Sequence, residues 1–190
     1  MIFLEGETCA GMHVLLKGHV HICKLSRDGR QNIITEIDPV IMFNEVALLD
    51  GEPNPCTAIA GKDTLTWRIS LDGFQKLLQR YAQDKFMNVA IGLMQILASR
   101  NRQLLSSYTD LSFLNVPARV AKLVYELSDQ GQTIIDRHQH PIKEMAARIA
   151  STPEAISRSL NLLKCQGIIE TTRTTISVIK PKQIAEIAVI

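Results

Sequence analysis

The sequence predicts an α+β protein: an N-terminal β barrel of the jelly-roll kind, a long helix, and a small C-terminal winged helix-turn-helix. Three observations predict it. Short β-branched runs divided by turn signals fill residues 1–70. A proline-free helical pattern follows to about residue 112. A second helical region, closed by two short alternating runs, occupies the rest. The expected domains are 1–82 (barrel), 83–114 (long helix and hinge) and 115–190 (C-terminal domain).

In the barrel region the candidate strands are His13–Leu16, Val20–Leu25, Asn32–Ile37 and Leu65–Ile69. Lys17-Gly18, Asp38-Pro39, Asp50-Gly51 and Gly61-Lys62-Asp63 punctuate them, and Arg27-Asp28-Gly29-Arg30 between two alternating runs is a hairpin signal. Ser70 is placed to cap a helix over Leu71–Arg80, with Leu71, Phe74, Leu77 and Leu78 on one face.

The long helix is expected over Asp84–Leu111. Phe86, Ala90, Leu93, Leu97, Leu104 and Leu111 recur in a 4–3–4 rhythm broken at Arg100, a heptad-like seam suited to pairing with a second copy. A helix lying only on its own barrel is the simpler alternative. The helix is too long for one small barrel to cover, and Met94, Ile96, Leu105 and Tyr108 widen its apolar surface beyond one stripe. One flank is therefore expected on the barrel and the other on a twin helix, with Asn101 either solvated or setting the register.

Asn115-Val116-Pro117 ends that helix and starts the next, because Asn caps well and Pro is tolerated in a first helical turn. Asn115 and Pro117 mark the candidate hinge. Beyond them Val116, Val120, Leu123, Val124 and Leu127 form an apolar face, and Thr133–Asp136 reads as a short strand.

Ile142–Gln166 has the pattern of two helices joined by a tight turn. The first covers about 142–149. Ala150-Ser151-Thr152 turns the chain, Thr152 caps the second helix, and Pro153 opens it. Small Ala146 suits a close crossing, while Ile149, Ile156 and Leu160 fill the space between the helices. Glu154, Ser157, Arg158 and Asn161 fall on the opposite face, and short or planar polar groups of this kind match the edges of base pairs. Gly167 stops the helix, Thr171–Thr174 with Arg173 makes a tip, and Thr175–Ile179 alternates as a return strand. A helical hairpin with a β ribbon used for protein contacts is the alternative; the caps and the wing favour binding of double-stranded DNA.

Composition sets the outer limits. The chain has 190 residues, 46% hydrophobic, and a net charge of +2. Residues 1–115 carry 11 Lys/Arg against 12 Asp/Glu, and residues 116–190 carry 10 against 7, so the C-terminal part is the basic one and suits a polyanion. No apolar run reaches the length of a membrane span and no signal peptide is legible, so a cytoplasmic protein with no membrane partner is expected. Cys9, Cys23, Cys56 and Cys165 are scattered and read as small buried hydrophobes. His19 and His21 share a strand face without a third ligand, so no metal or other cofactor is expected.

The segment IKEMAARIASTPEAISRSLNLLKCQGIIETTRTTISVI resembles the C-terminal domain of the CRP/FNR superfamily, and FNEVALLDGEPNPCTAIA at 43–60 resembles the phosphate-binding cassette of its effector barrel. The order of segments matches as well. The resemblance implies a homodimeric transcription regulator. Arg158 would donate to guanine, Glu154 would accept from a cytosine amino group, and Ser157 would tune a neighbouring position. The half-sites would be TTGA-like, in an inverted repeat. Lys143, Thr152 and Arg173 become candidate phosphate contacts. RNA polymerase is an implied partner if the protein activates. Residues 110–117 are expected to move when an effector binds.

Glu45, Asn54, Leu104 and Leu105 stand at the implied effector pocket. The family's cyclic-nucleotide binders carry Gly-Glu followed by Arg-Ser or Arg-Thr there. Here Asn44 precedes Glu45, Asn54-Pro55 stands in the arginine's place, and Leu104-Leu105 replaces the adenine-contacting Thr-Ser. Without a guanidinium a buried phosphate loses a charge-assisted contact, so an effector other than cyclic AMP is expected. A vestigial barrel that senses nothing, or a cyclic-nucleotide-responsive regulator, are the alternatives. The clustered N-terminal cysteines of an FNR-type iron–sulfur site are absent, and the barrel looks shorter at its start than in most relatives. An enzyme is not expected, since no nucleophile–base pair, Gly-rich phosphate loop or metal cluster is legible. Ala150 stands where many members have Gly, at a cost on the order of 1 kcal/mol if the residue is left-handed.

Overall fold

Period-two alternation in residues 12–69 builds two three-stranded antiparallel sheets. The computed structural model describes residues 1–61, 63–80 and 83–189, with side chains in the long helix described from residue 87 onward. Its strands are β1 (Met12–Lys17), β2 (Val20–Leu25), β3 (Gln31–Ile37), β4 (Ile41–Phe43), β5 (Thr57–Ala60) and β6 (Leu65–Ile69). One sheet has the order β4-β1-β6 and the other β3-β2-β5. His13 pairs with Phe43 and Arg68 in the first; Ile22 pairs with Thr35 and Ala58 in the second. Leu15 and Phe43 from the first sheet pack with Val20, Ile37 and Ala58 from the second, which makes the two sheets one core.

The β2–β3 hairpin turns where the sequence predicts. Gly29 takes a positive φ of 79°, and its N–H closes on the Ser26 carbonyl at 2.9 Å. Three elements between residues 41 and 60 are not anticipated by the sequence reading: β4, β5 and the short helix α1 (Glu45–Asp50). Each is short, and the stretch is broken by Pro53 and Pro55, so no periodic pattern builds up. Helix α2 (Leu71–Arg80) begins as expected, with the Ser70 hydroxyl accepting from the Gly73 N–H at 3.2 Å.

Helix α3 runs over Gln83–Phe113, and the chain divides into two compact units at Leu104/Leu105 within it. Among the described residues no helix is long and apolar enough to cross a membrane.

In the second unit, α4 (Val116–Leu127) starts at an Asn115 cap whose Oδ1 accepts from the Ala118 N–H at 3.0 Å, with Pro117 in the first turn. There follow β7 (Ile135–Asp136), α5 (Ile142–Arg148), α6 (Pro153–Cys165), β8 (Ile169–Thr171), β9 (Thr175–Val178) and α7 (Pro181–Ile187). Helix α7 is not anticipated either. The three strands form a sheet of order β7-β9-β8. Val120, Val124, Ile135, Met145, Ile156 and Ile176 are fully or almost fully buried in one core with Leu160, Leu163 and Ile184. Lys122 of α4 pairs with Asp110 of α3 at 2.6 Å, so the last turns of α3 are tied to α4 across the break at Leu114-Asn115.

His13 is a buried titratable group in the first unit. Its ring stacks on Phe43 at a centroid distance of 5.1 Å and lies 5.9 Å from Phe3. Burial lowers its pKa from 6.5, and the nearby Arg68 lowers it further. The unfolded chain therefore binds more protons at this position as pH falls through 6.5. Stability should fall as pH drops from about 6.5 towards the folded-state pKa, and this group adds no pH dependence above that window. We expect His13→Gln to flatten the dependence of the urea midpoint on pH between about 5.5 and 7.5. An unchanged slope would show that another group controls it.

Candidate nucleic-acid interface

The geometry of α5 and α6 is set by a three-residue turn. Ala150 adopts a positive φ of 50°, and the Ser151 N–H then closes on the Ala146 carbonyl at 2.9 Å, the bond that ends a helix in a Schellman motif. The chain emerges in extended conformation at Thr152, whose hydroxyl accepts from the Ala155 N–H at 3.3 Å and so caps α6. Pro153 follows in the first turn, where its missing N–H has no cost. Ala146 is buried at the crossing, and Ile156, Leu160 and Leu163 turn the inner face of α6 into the core.

With that face inward, Glu154, Ser157, Arg158 and Asn161 are all exposed. Their chemistry differs in useful ways. The Glu154 carboxyl is held below the usual range by its own backbone N–H, then by the Thr152 hydroxyl and, more weakly, by Arg158, so it is an acceptor at neutral pH. The Ser157 hydroxyl donates to the Pro153 carbonyl at 2.9 Å, which leaves its oxygen lone pairs to face outward. Arg158 carries a planar fork of donors. The three thus offer one anionic acceptor, one neutral acceptor and one cationic donor along a single helix. Lys143 on α5 and Arg173 between β8 and β9 are also exposed, whereas Thr152 is half-buried and its hydroxyl serves the helix cap.

In the first unit the cassette at residues 43–60 is densely bonded. Asn44 has a positive φ of 65°, and its Nδ2 donates to the Asn54 Oδ1 at 2.9 Å and to the Gly11 carbonyl at 3.1 Å. Asn54 is buried, and its own Nδ2 donates to the Leu4 carbonyl at 3.1 Å. Glu45 is 1% exposed, and one carboxylate oxygen is paired with Arg100 of α3; Arg100 also donates to the Met42 carbonyl. The second oxygen, Oε2, is buried with no hydrogen-bond partner among the described residues. Arg100 interrupts the apolar rhythm of α3 in the sequence, and the interruption is the signal that could have found this pair. Leu104 and Leu105 stand exposed on α3 and so differ from the buried Glu45 and Asn54.

The apolar residues of α3 divide by direction. Leu93 is buried against Met12, Leu48, Ile69 and Phe74 of the same chain. Ala90 and Leu97 are half-buried, Leu104 and Leu111 are exposed, and the side chain of Phe86 lies outside the described residues. Met87, Ile91, Met94, Leu105 and Tyr108 are exposed, one step round the helix from the seam read in the sequence. His21 pairs with Glu36 at 2.8 Å, and the His19 ring lies 5.4 Å from the His21 ring. Among the described residues no group of three or more His, Cys, Asp or Glu stands close enough to hold a metal ion.

A short capped helix crossing a second one, with a hairpin beside it and polar side chains along its outer face, defines a winged helix-turn-helix of the DNA-binding class. Comparisons with known proteins agree. The family model "Cyclic nucleotide-binding domain" matches residues 1–81, and "Crp-like helix-turn-helix domain" matches residues 118–187. A CRP-like cAMP-activated global transcriptional regulator of Mycobacterium tuberculosis is 29% identical over 84% of this chain and 71% of its own length. The cyclic AMP receptor protein of Thermus thermophilus is 26% identical over 98% of this chain and 83% of its own. Among solved structures, the c-di-GMP responsive global regulator CLP of Xanthomonas campestris has a TM-score of 0.80 at 18% identity, covering 93% of this chain and 88% of that one. A transcriptional regulator of the CRP family, also from Thermus thermophilus, has a TM-score of 0.74 at 22% identity, covering 100% and 93%. The chain belongs to the CRP/FNR family of DNA-binding transcription regulators, and the relatives named are regulators rather than enzymes.

Ala150 carries the largest local strain in this turn, since a Cβ is disfavoured at its φ. Ala150→Gly is expected to stabilise the C-terminal unit by about 0.5–1 kcal/mol, offset in part by the freer unfolded chain. Denaturant unfolding checks it, and a destabilised variant would contradict the geometry described.

Proposed function

We propose that the protein works in the cytoplasm as a homodimer that reads an inverted repeat with TTGA-like half-sites. Arg158 pairs with guanine, Glu154 with a cytosine amino group, and Ser157 with a neighbouring position. The observation that carries this reading is the shared exposure of Glu154, Ser157 and Arg158 on a helix whose opposite face is core. Lys143, Thr152 and Arg173 contact phosphate and set the register. If the protein activates, RNA polymerase is the further partner.

The dimer forms through α3. The face open to a twin helix carries Met87, Ile91, Met94, Leu105 and Tyr108, which with exposed Asn101 as the register-setting polar residue fall at steps of four, three, seven, four and three, one heptad-like row. Leu104 and Leu111 flank it. Asn115 and Pro117 form the hinge between α3 and α4, and the Asp110–Lys122 pair holds it in the state described.

The effector is not cyclic AMP, although two of the relatives carry it in their names, the cAMP-activated regulator of Mycobacterium tuberculosis and the cyclic AMP receptor protein of Thermus thermophilus. Three observations support this. Asn44 and Asn54 bond to each other where an anionic group would need a guanidinium, Glu45 is already paired with Arg100, and Leu104-Leu105 offers no hydrogen bond to a base. The same self-bonded cassette favours a second reading, a DNA-binding regulator whose barrel senses nothing. Thermal unfolding with 1 mM cyclic AMP, roughly a saturating level for a micromolar site, should leave the melting temperature unmoved. A rise of several degrees would overturn the exclusion. A rise with a metabolite extract instead separates a sensing barrel from a silent one.

Selection of sites from random duplex DNA tests the reading itself. Arg158→Ala should lose roughly 1–3 kcal/mol of discrimination at its guanine and keep its affinity for random DNA. Lys143→Ala should weaken specific and random DNA alike and lower the salt slope by about 1. Equal losses on both DNAs for Arg158→Ala would remove its assigned role.

A further inference from the structure

The wing is held by a residue that neither the caps nor the recognition helix accounts for. Arg137 directly follows β7, and β7 lies on the opposite edge of the sheet from β8, with β9 between them. Its backbone N–H donates to the Thr174 carbonyl at 2.8 Å, one rung beyond the Asp136–Thr175 pairing. Its guanidinium Nη1 donates to the Thr172 carbonyl, also at 2.8 Å. One residue therefore grips the carbonyls on either side of Arg173.

The turn between those carbonyls is closed from within as well. The Thr172 hydroxyl accepts from the N–H groups of Thr174 and Thr175 at 3.2 and 3.0 Å, and lies 2.8 Å from the Thr175 hydroxyl. The Thr172 N–H donates to the Thr175 carbonyl at 2.9 Å. Asp136, the acid next to Arg137 in sequence, accepts from the His138 N–H at 2.8 Å. Strands of three and four residues do not hold a hairpin tip rigid alone. A strap from the far edge strand removes the freedom that the tip would otherwise lose on meeting DNA, and ordering a mobile side chain or loop at an interface costs affinity.

We infer that Arg137 is a positioning residue for DNA binding: it straps the wing turn so that Arg173 meets a duplex phosphate from a fixed place. This rests on the DNA-binding reading above and on Arg173 as a phosphate contact.

A double-mutant cycle tests it, with specific and random duplex titrated from low to moderate salt and thermal unfolding of each variant as the folding control. Arg173→Ala is expected to weaken both duplexes roughly tenfold, as loss of a charged hydrogen bond does, and to lower the salt slope by about 1. Arg137→Ala should do nearly the same, and the double variant should be no weaker than Arg173→Ala alone, because Arg137 acts through Arg173. Arg137→Lys, which keeps a donor for the Thr172 carbonyl, should retain most of the affinity. Losses that multiply in the double variant would show an independent phosphate contact and overturn the inference, as would an Arg137→Ala variant with unchanged affinity and slope. If Arg173→Ala leaves the slope untouched while Arg158→Ala still loses discrimination, the wing inference fails and the recognition-helix reading stands. If wild type itself shows no salt-dependent binding, the reading beneath both fails.

Discussion

The left-handed turn at Ala150 is the constraint on which the placement of α6 and its exposed polar face depends. Because Ala150 reverses the backbone, the Ser151 N–H can satisfy a carbonyl at the end of α5, and Thr152 is free to satisfy an N–H at the start of α6. Both helix ends are closed within three residues, so the angle between α5 and α6 has little freedom. The buried faces of Ile156, Leu160 and Leu163 then fix the rotation of α6 about its axis. A rotation of α6 by one residue, about 100°, would bury Arg158 or Glu154 and expose a core residue. Hydrophobic burial, not any contact made by the polar residues, keeps them outward.

The barrel applies a different logic to the same family frame. Asn44 tolerates the left-handed conformation at which glycine is usual, and uses its amide to bridge Gly11 and Asn54. Two departures that look like separate losses in the sequence are thus one hydrogen-bonded pair. Satisfying buried amides in this way is what a closed interior requires. The buried carboxylate of Glu45 needs a cation, and Arg100 supplies it from α3. The cassette is consequently tied to the helix that carries the open apolar face.

Legibility in the sequence followed the strength of the local signal. Helix α2, the break at Asn115 and the α5–turn–α6 unit were readable because caps, prolines and apolar spacing agreed over several residues. Helix α1 and strands β4 and β5 were not, since three to six residues around Pro53 and Pro55 carry no period. Helix α7 was missed because seven residues behind Lys180, which makes no side-chain cap, are too few to show a helical period. On α3 the apolar residues were identified but not their direction. Several phases fit a helix rich in Leu, Ile and Met, and only packing against Met12, Leu48, Ile69 and Phe74 decides which phase is spent inside the chain.

The sequence by itself determined the α+β class, the family, and helix α6 with its outward Glu154, Ser157 and Arg158. All three rest on interactions between residues near one another along the chain: caps, turns and helical period. Tertiary structure alone decided which flank of α3 stays open, that Asn44 bonds Asn54, that Arg100 neutralises Glu45, and that Arg137 reaches across β9 to the wing. Those pairings join residues between 10 and 55 positions apart. No local preference encodes such a contact, because it forms only when buried polar groups brought together by the fold must find partners.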